Sequence, residues 1–95
     1  MKVRYTRTAL DELNEIFAYL ADRNIAAASL IVTRVETLVG FLADFPYMAQ
    51  ETEMTGVRRL PLGVYPYNIF YVAEDDEIVI LHIRHGARRF PWVEP

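Results

Sequence analysis

The sequence predicts an α+β domain in which an antiparallel helical hairpin packs on one face of a mainly antiparallel sheet, in the order strand, helix, helix, three strands. Three observations carry that reading. The first half holds two long segments with apolar residues at spacings of three and four. The second half holds three runs rich in branched and aromatic side chains. The connections are short, so consecutive helices run antiparallel and the last two strands form a hairpin rather than a parallel crossover. Helices gathered on one face of such a sheet make a two-layer sandwich.

Residues 2–6 read as a short opening strand with Val3 and Tyr5 on one face. Thr8 is the expected cap of the first helix, with Asp11 at the capping-box position and Asp11 and Glu12 near the positive end of the helix dipole. Leu10, Leu13, Phe17 and Leu20 form its apolar stripe, with Glu12, Glu15 and Tyr19 elsewhere, and the helix runs to about Asp22. Asn24 caps a second helix whose stripe is Ala27, Leu30, Ile31, Val35, Leu38 and Leu42, with Arg34 at its edge. Pro46 disfavours helical backbone at the residue before it, which ends this helix near Ala43 or Asp44.

The three later strands are Val57 to Leu60, Tyr67 to Ala73 and Ile78 to Arg84. Pro61, Gly63 and Pro66 punctuate the first connection, and Glu74-Asp75-Asp76-Glu77 makes a polar turn between the last two strands.

With 95 residues, 53% of them hydrophobic, the chain is expected to be one domain spanning residues 1–95 with its own core. There is no cysteine, which leaves neither disulfides nor thiolate metal sites and suits a reducing cytoplasm. Met1 to Arg7 lacks the apolar stretch of a secretion signal, and Arg34, Glu36 and Asp44 interrupt the longest apolar runs, against a membrane span. A net charge of -3 argues against broad nucleic-acid binding, which draws its affinity from counterion release by many cations.

Positive charge is concentrated in one place. Residues 80–89 carry His82, Arg84, His85, Arg88 and Arg89 at the end of the last predicted strand. Strand alternation puts His82 on the face of Ile80 and Arg84 and His85 on the opposite face or at the exit, which argues against a metal ion shared by the two histidines. His82 reads as a structural hydrogen-bonding residue, and Arg88 and Arg89 either as a solubilising carboxyl-terminal tail or as a bidentate grip on a carboxylate or phosphate. Arg58 and Arg59 also alternate in direction, so only one joins the basic patch. Ser29 has neither a base nor an oxyanion loop beside it, which excludes a serine hydrolase.

The run Arg58-Arg59-Leu60-Pro61-Leu62-Gly63-Val64-Tyr65-Pro66-Tyr67-Asn68-Ile69-Phe70-Tyr71, the helical hairpin before it and the ending Ile83-Arg84-His85-Gly86-Ala87-Arg88 resemble the RelE/ParE family of bacterial toxins over nearly the whole chain. The resemblance implies the toxin of a type II toxin-antitoxin system, neutralised by a cognate ParD-like antitoxin from an adjacent gene in a hetero-oligomer. It implies one of two targets: DNA gyrase, or the ribosome in messenger-RNA cleavage. As a ribonuclease the chain would use Arg59, His85 and Arg88. However, Asn68 stands where many ribonuclease members carry arginine, Glu51 and Glu53 occupy a loop that carries lysines in some, and Trp92 replaces a terminal tyrosine. These departures favour the ParE branch, without a catalytic role or a cofactor. A non-toxic interaction remnant is the remaining alternative. The expected target-binding residues are Arg59, Arg84, His85, Arg88, Arg89 and Trp92. Antitoxin is expected on the helical hairpin at Leu13, Phe17, Leu20, Leu30 and Arg34, covered by an amphipathic helix or an added strand.

Overall fold

The computed structural model describes residues 1–86. Strand β1 (Lys2–Tyr5) leads into helices α1 (Arg7–Ala21) and α2 (Ile25–Asp44), followed by strands β2 (Gln50–Glu51), β3 (Arg58–Pro61), β4 (Tyr67–Glu74) and β5 (Glu77–His85). The five strands form one sheet in the order β1-β5-β4-β3-β2. Only β1 pairs in parallel, against β5, and the other pairings are antiparallel. The predicted α+β sandwich is therefore present, with one strand more than expected. Strand β2 escapes a sequence reading because it is two exposed polar residues with no periodicity.

The helix starts follow from cap chemistry, with one correction. Thr6, not Thr8, caps α1: its extended backbone ends the β1 pairing, its amide donates to Ile80 O, and its hydroxyl oxygen accepts from Ala9 N at 3.0 Å. The same hydroxyl donates to Leu81 O, tying the start of α1 to β5. Asp11 accordingly lies beyond the capping-box position, where it pairs with Arg7. Asn24 caps α2 as expected, accepting from the amides of Ala26 and Ala27.

The core lies between the hairpin and one face of the sheet. Helix α2 contributes Ile31, Val35, Leu38 and Leu42, and the sheet contributes Leu60, Ile69, Tyr71, Ile78, Ile80 and Ile83. Helix α2 is long and apolar enough to cross a membrane by composition, yet its buried stripe is the core of this domain. Two stripe residues are corrected: Leu10 and Leu30 are exposed, because the buried side of α1 runs through Ala9 and Glu12, and that of α2 through Ala28 and Ile31. Arg58 staples the loop after α2 to the sheet, donating to Ala49 O at 2.7 Å, while Tyr71 donates its hydroxyl to Pro46 O at 2.9 Å.

Strand β5 breaks its alternation. Tyr71 pairs with Ile80, but Phe70 pairs with His82, which leaves Leu81 as an extra residue in a bulge. Ile78, Ile80 and Ile83 all face the core as a result. His82 thus shares the face of Arg84 but not that of Ile80, contrary to unbroken alternation.

Candidate functional site

The free face of the sheet, opposite the helices, carries the basic residues of β3 and β5. Arg59 on β3 lies across from Phe70 on β4, which lies across from His82 on β5. In the next row Asn68 on β4 lies across from Arg84. Arg59 donates from Nη1 to Asn68 Oδ1 at 3.2 Å, so this neutral amide stands between two guanidinium groups. Arg58 faces the helices instead, opposite Tyr71. Of the two adjacent arginines it is therefore Arg59 that joins this face, as expected.

Beyond the bulge β5 has lost its partner on one side, since β1 pairing ends at Tyr5 with Ile80. A side chain takes over. Glu12 of α1, only 9% exposed, accepts from the Ile83 amide at 3.0 Å, from Arg84 Nε at 2.9 Å and from His82 Nδ1 at 3.1 Å. A carboxylate only accepts, so Nδ1 is the donating nitrogen of that imidazole. A buried carboxylate in three hydrogen bonds, two of them from cation-forming side chains, is satisfied rather than strained.

His85 lies on the other side. Its ring meets Tyr67 edge-on, with centroids 5.4 Å apart, on the face that carries the core. Burial, with a smaller contribution from Tyr19, raises the Tyr67 pKa above its ordinary value, which keeps the phenol neutral near pH 7. A crevice beside Glu12, lined also by Glu15, Ile16 and Tyr67, brings Arg84 and His85 to one opening. Among the described residues, no three of His, Asp and Glu gather as a metal site.

A sequence model described as the ParE toxin of the type II toxin-antitoxin system parDE matches residues 3–90. The chain belongs to the ParE toxin family. It is 34% identical over 92 residues to the toxin candidate Y4kP of Sinorhizobium fredii, covering 97% of this chain and 95% of that one. It is 33% identical over 87 residues to toxin RelE2 of Caulobacter vibrioides, covering 92% and 97%. The fold matches a chain of a chromosomal ParDE system from P. aeruginosa with a TM-score of 0.77 and 26% identity, over 90% of this chain and 95% of that one.

In this ParE-family chain the expected target-binding residues divide. By register Arg59 and Arg84 share the free face and His85, one residue on, leaves the strand on the other, yet Arg84 and His85 both line the crevice beside Glu12. Arg88, Arg89 and Trp92 lie outside the described residues. On the hairpin, Leu13 and Leu20 pack against the core and Phe17 is half-buried, so they offer less free surface than a stripe awaiting a partner would. Leu30 is 56% exposed, and Arg34 donates to Leu62 O beside Gly63, whose φ of 84° turns the chain there. Glu12, expected off the apolar stripe, is the buried acceptor that holds His82, Ile83 and Arg84. The signal available for it is its spacing from Ala9, Leu13 and Ile16, which puts a carboxylate on the buried stripe.

Proposed function

We propose that this chain is a toxin that arrests growth in the cytoplasm by engaging DNA gyrase through the free face of its sheet, and that a ParD-like antitoxin neutralises it. Family membership supports the toxin part. The composition of the free face carries the gyrase part: between Arg59 and Arg84 stands the amide Asn68, where ribonuclease-type relatives would place a third cation for the transferring phosphate. The opposite facing of His85 and Arg59 adds to this, since general acid-base work needs the imidazole beside that cation. Two guanidinium forks on a sheet surface suit carboxylates or phosphates of a large partner.

One observation favours the ribosome-dependent ribonuclease instead. His82 shares the face of Arg59 and Arg84, and Glu12 orients its ring through Nδ1, which leaves Nε2 to take a proton. That reading transfers the imidazole role expected of His85 to His82.

For the antitoxin, the end of α2 and the loop after it expose Phe41, Phe45, Tyr47 and Met48, which line one apolar groove suited to an amphipathic segment. Induction of the chain without antitoxin separates the targets. Gyrase engagement gives a DNA-damage response and altered supercoiling with intact messengers. Codon-dependent messenger cleavage with unchanged supercoiling, abolished by His82→Ala, supports the ribonuclease. Co-expression of the neighbouring small gene product restores growth if the antitoxin assignment holds.

A further inference from the structure

We propose that Glu12 is a positioning residue for target engagement, holding Arg84 by Nε at the exit of β5 so that the Nη edge of its guanidinium, with Arg59, meets an anionic group of the target. The proposal rests on the free face being the target-binding face and adds to it a residue from the helical layer.

The place of Glu12 in the helix calls for another kind of residue. It lies on the stripe of Ala9, Leu13 and Ile16, where an apolar side chain would pack. Burying a carboxylate there costs desolvation, and exchanging buried ion pairs for apolar residues is often neutral or stabilising, so stability alone does not explain the charge. Its bonds suggest a different use. One oxygen accepts from the β5 backbone at Ile83 and the other from Arg84 Nε, so the guanidinium is referenced to the strand rather than left to its own rotamers. The bond to Glu12 uses Nε and leaves the Nη donors of the fork, on a side chain still 22% exposed. Arg59 is held too, by one Nη1 donor to Asn68 Oδ1, so both arginines have a partner within the chain before any target arrives. An arginine ordered in advance loses less rotamer freedom on binding. The carboxylate also offsets the repulsion between two neighbouring cations.

A double-mutant cycle on the full chain tests this, reading the toxin concentration that halves supercoiling of relaxed plasmid by DNA gyrase, with antitoxin affinity measured in parallel. Glu12→Gln keeps an oxygen for the Ile83 amide and removes the charge beside Arg84. It is expected to weaken inhibition about tenfold while antitoxin affinity stays within about twofold. Arg84→Ala is expected to weaken inhibition at least as much, and Glu12→Gln to add nothing in that background. Full potency of Glu12→Gln, multiplying effects in the double variant, or a parallel loss of antitoxin affinity each overturns the proposal. If Glu12→Gln fails to fold, Arg84→Lys tests the same geometry with Glu12 intact, since lysine lacks the fork. A potency loss supports the proposal, and full potency overturns it. A wild-type chain that slows growth without inhibiting gyrase removes the gyrase reading only, and the cycle is then read on the toxin dose that halves growth rate. A chain that does neither overturns both.

Discussion

The two halves of β5 are held by different means. From Glu77 to Ile80 the strand is sandwiched between β4 and β1, with Ile78 and Ile80 fully buried. From His82 to His85 it has β4 on one side only, and the place of the missing strand is taken by the Glu12 carboxylate. Backbone ladders accept nearly any side chain, whereas a carboxylate demands cations around it. The half that lacks a strand is therefore the half that carries His82 and Arg84, and the bulge at Leu81 turns them onto the free face together. The lesson is that the basic cluster is built by an incomplete sheet edge and a helix residue, and not by the strand alone.

Changes in the first half test whether it is the stable anchor. Ile80→Ala removes a fully buried side chain beside Ile78 and Tyr71 and is expected to cost about 3 kcal/mol of stability in urea unfolding. A loss under about 1 kcal/mol would break the contrast between the halves. Glu12→Ala attacks the second half. It leaves the Ile83 amide and two basic side chains without their acceptor, at an expected cost of about 2 kcal/mol, because His82 and Arg84 are part-exposed and water replaces part of the interaction. Its hydrogen exchange should quicken at Ile83 while Ile78 and Ile80 stay protected. Uniform quickening would mean that the strand behaves as one unit.

A smaller effect is expected where the core meets the loop after α2. Tyr71→Phe loses the bond to Pro46 O, at about 1 kcal/mol. Burial raises the Tyr71 pKa above its ordinary 10.0, offset in part by the Ala49 backbone and Arg58. A phenol whose pKa is raised by folding contributes stability that is present below pH 10 and lost as pH rises through the folded value. Tyr71→Phe should accordingly flatten the loss of stability above pH 10, read from unfolding midpoints across that range. The smallest effect belongs to Arg4→Ala, which removes the exposed ion pair with Glu77 beside the first half and should change stability by less than about 0.5 kcal/mol.

Much of this architecture is legible in the sequence because periodicity and punctuation agree. Asn24 and Pro46 bound α2, and Glu74 to Glu77 turns β4 into β5, where Asp75 takes a left-handed φ of 53°. The candidate site is less legible, for physical reasons. Strand alternation puts His82 and Arg84 on the face of Ile80 until a bulge, which no local residue pattern marks, parts them from it. Glu12 reads as a solvent-facing residue because Leu10 suggests a stripe centred elsewhere, and only the donors of β5, 70 to 72 residues away, explain its burial. That only one of Arg58 and Arg59 joins the free face is legible because β3 is regular, while the choice of Arg59 rests on the family resemblance.

The most direct test compares one arginine from each half of the β5 neighbourhood in cells that lack the antitoxin. Arg84→Ala, confirmed as folded by its unfolding transition, is expected to lose growth arrest, while Arg4→Ala arrests growth as the unmodified chain does. Growth arrest by Arg84→Ala equal to that of the unmodified chain would contradict the assignment of the free face beyond the bulge as the surface that meets the target.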